Sequence, residues 1–306
     1  MLRNLIVLGL IATVATPLVG CSKSARESSQ LYNQGVRAFE RKEIPAAYTF
    51  FSKALKLNPE NGLALYQMGL IDFYHREEFE KARRNLEDAK KLLPKDRDVL
   101  LTLGRLKVDK LNEAESGVAD LDAVIALDEN FHRAWFWKAK GLDALAKYDE
   151  ADAALRECAA IAPKYSRCFV ELGALYEKFE HDKEAEAVYR EGLKHSPSNP
   201  DMLNAIGVLY MKSKRFADAV ESFRGVLMRD QTRFDALYNL AFGYSQLAKR
   251  SKDDTDEQAE AKKKKNLRSA VGYLDKFIGL ADKRDKENLR AARALKDALV
   301  LEMNQN

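Results

Sequence analysis

Apolar positions in this chain follow a helical rhythm. From residue 28 to about residue 281, leucine, alanine and aromatic residues recur three and four positions apart, with charged residues between them, as on one-sided amphipathic helices. A longer period lies over this one. Gly35, Gly69, Gly104, Gly173 and Gly207 are spaced 34, 35, 69 and 34 residues apart, and Ala139 marks the middle of the long gap. Pro59, Pro94, Pro163 and Pro197 keep the same step. Ala47, Ala82, Ala151, Ala185 and Ala219 recur with it, each followed four residues later by Phe51, Leu86, Leu155, Tyr189 or Phe223. Each period therefore predicts two helices joined by a polar turn. Proline, which lacks an N–H and clashes with the preceding turn, stops the second. The glycine or alanine lets the two helices approach, and the larger residue covers the contact.

Seven such periods can be counted. In the third, Ser116 and Asp120 stand where a small and a large residue belong, so its second helix is expected to be shifted and to pack through Leu121 and Val124. The seventh carries about 17 extra residues within 249–265 (KRSKDDTDEQAEAKKKK). That insertion reads better as an extension of both helices of the last pair into solvent than as a partner-specific loop. Its Lys262–Lys265 run offers a contact for anionic headgroups, weakened by the nearby Asp253, Asp254, Asp256, Glu257 and Glu260. From Asp282 to Met303, Leu289, Ala292, Leu295 and Leu299 share one side, which predicts a closing helix over the last apolar face. The expected organisation is a leader at 1–20, a short linker at 21–27, the repeats at 28–281 and a capping helix with its tail at 282–306.

These motifs resemble the tetratricopeptide repeat, a 34-residue helix–turn–helix unit. The fifth period carries the pattern most fully, with Phe169, Leu172, Gly173, Tyr176, Ala185, Tyr189 and Pro197. The resemblance implies an all-α, right-handed superhelical solenoid of about seven helix pairs. It also implies that the first helices line a concave groove that takes extended peptides or helices. Carried over position by position, the groove residues are Tyr32 and Phe39, Tyr66 and Phe73, Arg105, Phe136 and Lys140, Asn204, then Tyr238 and Phe242. The Lys and Asn clamp by which cytosolic co-chaperones hold a terminal carboxylate is not reproduced, so recognition through apolar side chains is expected.

The first twenty residues have a different character. Arg3 is followed by a nearly unbroken apolar run from Leu5 to Leu18, too short to span a bilayer and shaped like a secretory signal. It ends in Leu18-Val19-Gly20-Cys21, which resembles the bacterial lipobox. That resemblance implies a diacylglyceryl group on Cys21, cleavage before it, and an acyl chain such as palmitate on the new amine. Two or more chains give stable membrane attachment. Ser22, in place of Asp, points to the inner leaflet of the outer membrane, facing the periplasm.

Composition narrows the chemistry. The chain has 306 residues, 46% apolar and 32% charged, with only 15 glycines and 7 prolines, which excludes a disordered chain and disfavours a turn-rich β fold. Its 51 basic and 47 acidic residues are interleaved, so no nucleic-acid-binding face is expected. No phosphate-binding glycine loop, dinucleotide fingerprint or HExxH helix is present. His75, His132, His181 and His195 lack metal spacing and are expected at the surface. No enzymatic activity, metal or cofactor is expected beyond the lipid on Cys21. Cys158 and Cys168 fall on neighbouring helices, and their spacing permits a disulfide without requiring one.

Together these readings describe a membrane-anchored periplasmic scaffold that binds a protein partner in its groove. Tetratricopeptide lipoproteins include pilotins, which bind an outer-membrane secretin subunit during type IV pilus biogenesis, and the layout here is similar. A polysaccharide-export component and a structural tether or adaptor for cell-wall enzymes are the alternatives.

Overall fold

The structure is a computed structural model that describes residues 23–250, 257–281 and 286–305. The expected leader, Cys21, Asp253, Asp254 and Asp256 lie outside them. Every element among the described residues is a helix, and the chain divides into two compact units, Met1–Asn112 and Glu113–Asn306.

The first unit holds α1 (Lys23–Glu40), α2 (Ile44–Leu57), α3 (Gly62–Tyr74), α4 (Phe79–Leu92) and α5 (Arg97–Asp109). The second holds α6 (Ala114–Leu127), α7 (His132–Ala144), α8 (Tyr148–Ile161), α9 (Arg167–Lys178) and α10 (Asp182–His195). It continues with α11 (Pro200–Lys212), α12 (Phe216–Arg229), α13 (Phe234–Arg250), α14 (Glu257–Leu280) and α15 (Lys286–Gln305). Within each unit, helices consecutive in the chain pack against one another.

Helix ends follow the 34-residue clock. Lys42, Glu77, Asn112, Ala146, Glu180 and Lys214 all have φ between 55° and 63°. Each sits just after a first helix. The backbone then turns back in the manner of a Schellman motif, in which the Glu43 N–H bonds Ala38 O, the Lys147 N–H bonds Leu142 O and the His181 N–H bonds Tyr176 O. Three of the first helices instead begin on side-chain caps. Asn61, Asp96 and Asn199 accept from backbone N–H groups at the starts of α3, α5 and α11.

The pair contacts are those the spacing implies. A Cβ on Gly35 would lie 2.5 Å from Phe51, one on Gly69 2.7 Å from Leu86, and one on Gly207 2.7 Å from Phe223, while Gly173 meets Tyr189 most closely of all. Only a residue without a side chain fits there. In the first unit this produces two apolar clusters, one around Ala38, Phe51 and Ile71 and one around Phe73, Leu86, Leu103 and Leu106.

Two expectations change, and the shift in the third period is met. Lys23–Glu27, expected as linker, form the start of α1. No glycine or proline interrupts them, and Ser28, fully buried, ties the helix to Ala54 O at 2.8 Å. In the third period the small and large positions fall on Gly117 and Leu121, one residue later than Ser116 and Asp120. Leu121 and Val124 are fully buried, as the proposed shift requires. In the insertion, Lys249 and Arg250 continue α13, and residues 257–265 open α14. The lysine run is not one solvated face. Lys262 and Lys265 are exposed, but Lys263 is 5% exposed and pairs with Glu302 of α15 at 3.5 Å. The closing helix buries Leu289, Ala292 and Leu299.

Candidate functional site

The candidate residues lie on the first helices of the pairs, and each unit presents its own face. In the first unit, Tyr32 is half-buried and tilted against Phe51 with ring centroids 5.7 Å apart. Phe39 meets His75 edge-on at 5.8 Å. Tyr66 is half-buried against the Phe73 cluster, and burial pushes its phenol pKa well up. Phe73 itself is 4% exposed. It is a core residue rather than a groove residue, because Tyr74 stacks on it at 4.3 Å and the Arg105 guanidinium lies 5.4 Å above it. Arg105 also donates to the Tyr74 hydroxyl at 3.1 Å. The exposed aromatic here is Tyr74, one position beyond the residue carried over from the repeat pattern.

In the second unit Phe136 is likewise a core residue, fully buried. The Arg167 guanidinium caps its ring at 4.6 Å, and Trp137 and Tyr165 meet it edge-on. Lys140 pairs with Glu171 at 2.8 Å, and Lys178 with Asp143 at 2.8 Å, so two ion pairs join α7 to α9. Between them opens a cavity of about 230 Å³ floored by Ala139, Ala151, Leu155 and Leu175. Leu155 stands here at the place that Tyr189 and Phe223 hold in the fifth and sixth pairs.

Further along, Asn204 donates to Asp235 at 3.0 Å, while its Oδ1 is buried with no hydrogen-bond partner among the described residues. Beside it Val208 is 41% exposed and, on α13, Phe242 is 37% exposed. Tyr238 is half-buried and leans on Phe277. Val208 and Phe242 thus form an apolar strip on consecutive first helices.

Cys158 and Cys168 are fully buried and joined by a disulfide that ties α8 to α9, with Cα atoms 5.9 Å apart. Three histidines are exposed as expected. His132 is not, since it packs against Tyr165 at 4.8 Å, and burial lowers its pKa. Among the described residues no cluster of His, Cys, Asp and Glu is arranged to hold a metal ion. None of their helices is long and apolar enough to cross a membrane.

A model of the tetratricopeptide repeat matches residues 132–165 and 200–233, which are the α7–α8 and α11–α12 pairs with their following turns. The chain carries tetratricopeptide repeats. Solved structures of proteins with tetratricopeptide repeats share the fold. A tetratricopeptide repeat protein from Parabacteroides merdae superposes with a TM-score of 0.60 at 14% identity, covering 88% of this chain and 99% of that one. PilW, described as a widely conserved type IV pilus biogenesis factor, gives 0.58 at 18% identity over 70% of this chain and 97% of its own. YrrB, a tetratricopeptide protein with an unusual peptide-binding site, gives 0.51 at 21% identity over 61% and 98%. Among curated proteins, the RNA polymerase-associated protein CTR9 of Caenorhabditis elegans is 24% identical over 282 residues, 83% of this chain. The chain spans only 22% of that protein's length.

Proposed function

We propose that this repeat chain is a lipid-anchored scaffold of a bacterial envelope, held through Cys21 at the outer membrane and facing the periplasm. It binds a protein partner along its first helices and serves the assembly or placement of an envelope machine, an outer-membrane secretin of the type IV pilus foremost. The observation that carries the binding role is the exposure of Val208 and Phe242 on consecutive first helices, next to the unsatisfied Asn204 carbonyl oxygen. Exposed apolar side chains lined up beside a polar anchor suit an extended segment that buries its own side chains there. The fold likeness to PilW is compatible with the pilus reading and extends no further than the fold.

The residues hold a partner rather than transform it, since the strip brings no nucleophile and base together. Of the alternatives, a structural tether requires that the strip be dispensable for protein capture, whereas a polysaccharide-export component or an adaptor for cell-wall enzymes would bring down a different partner. The test is cross-linking in live cells, comparing wild type with Val208→Glu/Phe242→Glu. A ring-forming outer-membrane protein cross-linked only to the wild type is the expected result. Equal cross-linking by both proteins rejects the strip as the site. Separately, Cys21→Ser is expected to release the protein from the membrane fraction, and its retention there rejects the lipid anchor.

A further inference from the structure

One end of the first unit differs from the other in charge and in exposed apolar surface. Contacts bring four helix termini together at that end. Ser28, near the start of α1, donates to Ala54 O near the end of α2, and Asn61, which caps α3, donates to Ser28 at 3.1 Å. At the start of α3, a Cβ on Gly62 would lie 3.0–3.1 Å from Leu92 and Leu93 at the end of α4. This end exposes Leu57, Leu63 and Leu92 by 37%, 45% and 39%, together with Lys23, Arg26, Lys56 and Lys95. Its exposed carboxylates are Glu60 and Asp88, with Glu27, Asp96 and Asp98 half-buried, and Asp88 is engaged by Lys91 at 2.7 Å. The opposite end carries no such excess of base. There Glu40, Glu43, Glu77 and Glu78 share the turns with Arg41, Lys42, Arg76 and Lys81, and Arg41, Arg76 and Lys81 are drawn into pairs with Glu43 and Glu78.

The chain itself chooses between the two ends. Helix α1 begins at Lys23, two residues after Cys21, and two residues span at most about 7 Å. A lipid on Cys21 therefore delivers the leucine- and lysine-bearing end to the bilayer. The register agrees, for both second helices of this unit end in leucine, Leu57 and Leu92.

We propose that this end of the first unit is a membrane-contact surface for anionic lipid. Leu57, Leu63 and Leu92 enter the headgroup layer, and Lys23, Arg26, Lys56 and Lys95 lie against its phosphates. The surface fixes how the scaffold stands on the membrane, so the anchor does more than tether. This inference rests on the lipid-anchor reading, and its test supplies the anchor chemically so that the two can fail separately. With Cys158 and Cys168 bonded to each other, Cys21 is the one free thiol of the three cysteines. The chain from residue 21, which keeps every described residue, is coupled through Cys21 to a maleimide lipid in vesicles of phosphatidylcholine and phosphatidylglycerol.

Amide hydrogen exchange is then compared with the uncoupled protein. Residues 57–63 and 91–97 are expected to exchange about threefold more slowly or better on the vesicles, and residues 40–43 and 75–78 at an unchanged rate. Leu57→Glu/Leu63→Glu/Leu92→Glu, all surface changes, is expected to abolish that difference. Pure phosphatidylcholine vesicles are expected to reduce it, because the phosphate-facing lysines then lose their net anionic surface. No protection, equal protection at both ends, or protection that survives the triple glutamate change overturns the proposal. A Cys21→Ser protein that stays in the cell's membrane fraction rejects the natural anchor alone and leaves the vesicle result to stand by itself.

Discussion

Tyr189 occupies the space that Gly173 leaves, and its hydroxyl, held by Glu177 at 2.5 Å, leaves the ring little freedom to retreat. Gly173→Ala is therefore expected to destabilise the protein by about 1–3 kcal/mol, and Gly173→Leu by more, because added volume in a packed contact forces side chains off their rotamers. A urea midpoint equal to that of the wild type would show that the two helices do not meet through this pair. His132 makes a second residue-scale prediction. Burial, with the neighbouring Arg133, lowers its pKa from the ordinary value of 6.5. Below that value the unfolded chain takes up a proton that the folded chain resists, so stability attributable to His132 is present at neutral pH and lost as pH falls through the window beneath 6.5. Melting curves from about pH 7.5 to about pH 5.5 should show a smaller decline for His132→Gln than for the wild type.

At the scale of elements, the clock of small residues and prolines made the helix pairs legible in the sequence. Spacing alone also exposed the slip in the third period, since Leu121 and Val124 offer α6 an apolar pair one residue beyond the misplaced Asp120. What spacing could not reveal was which charged side chains are buried. The lysine run reads as solvated by composition, yet Lys263 points at α15 because the helical turn that places Lys262 and Lys265 outward must place it inward. Lys263→Ala is expected to lower stability by about 1–2 kcal/mol by leaving Glu302 with less compensation in a mostly covered site, while Lys262→Ala has no measurable effect. Equal thermal melts for the two variants would reject the pairing. The start of α1 escaped the sequence reading for a related reason. Lys23–Glu27 are polar and carry no periodic apolar residue, and their helix is held by the buried Ser28 further along.

For the molecule as a whole, the repeat register located the faces of the first helices but not their depth. Phe73 and Phe136 stand at groove positions and are nonetheless core, because Arg105, Arg167 and Tyr165, each from a following element, cover them. Tyr74 and Val208 carry the exposure instead. Nor did composition mark the division into two units, which falls in the polar turn at Asn112–Glu113 with no proline or glycine to announce it. Burial depends on the neighbouring pair, and neighbours are related by stacking rather than by sequence distance. One detail of that stacking bears on how such a chain changes over generations. The link from Asn61 to Ser28 recurs four pairs later, at the same register, as Asn199 to Ser166 at 2.9 Å. Each link joins adjacent pairs only, so duplicating or deleting a whole pair between the two sites breaks neither. The number of pairs, and with it the reach of the chain, is open to inheritance in whole steps without rewriting the joints.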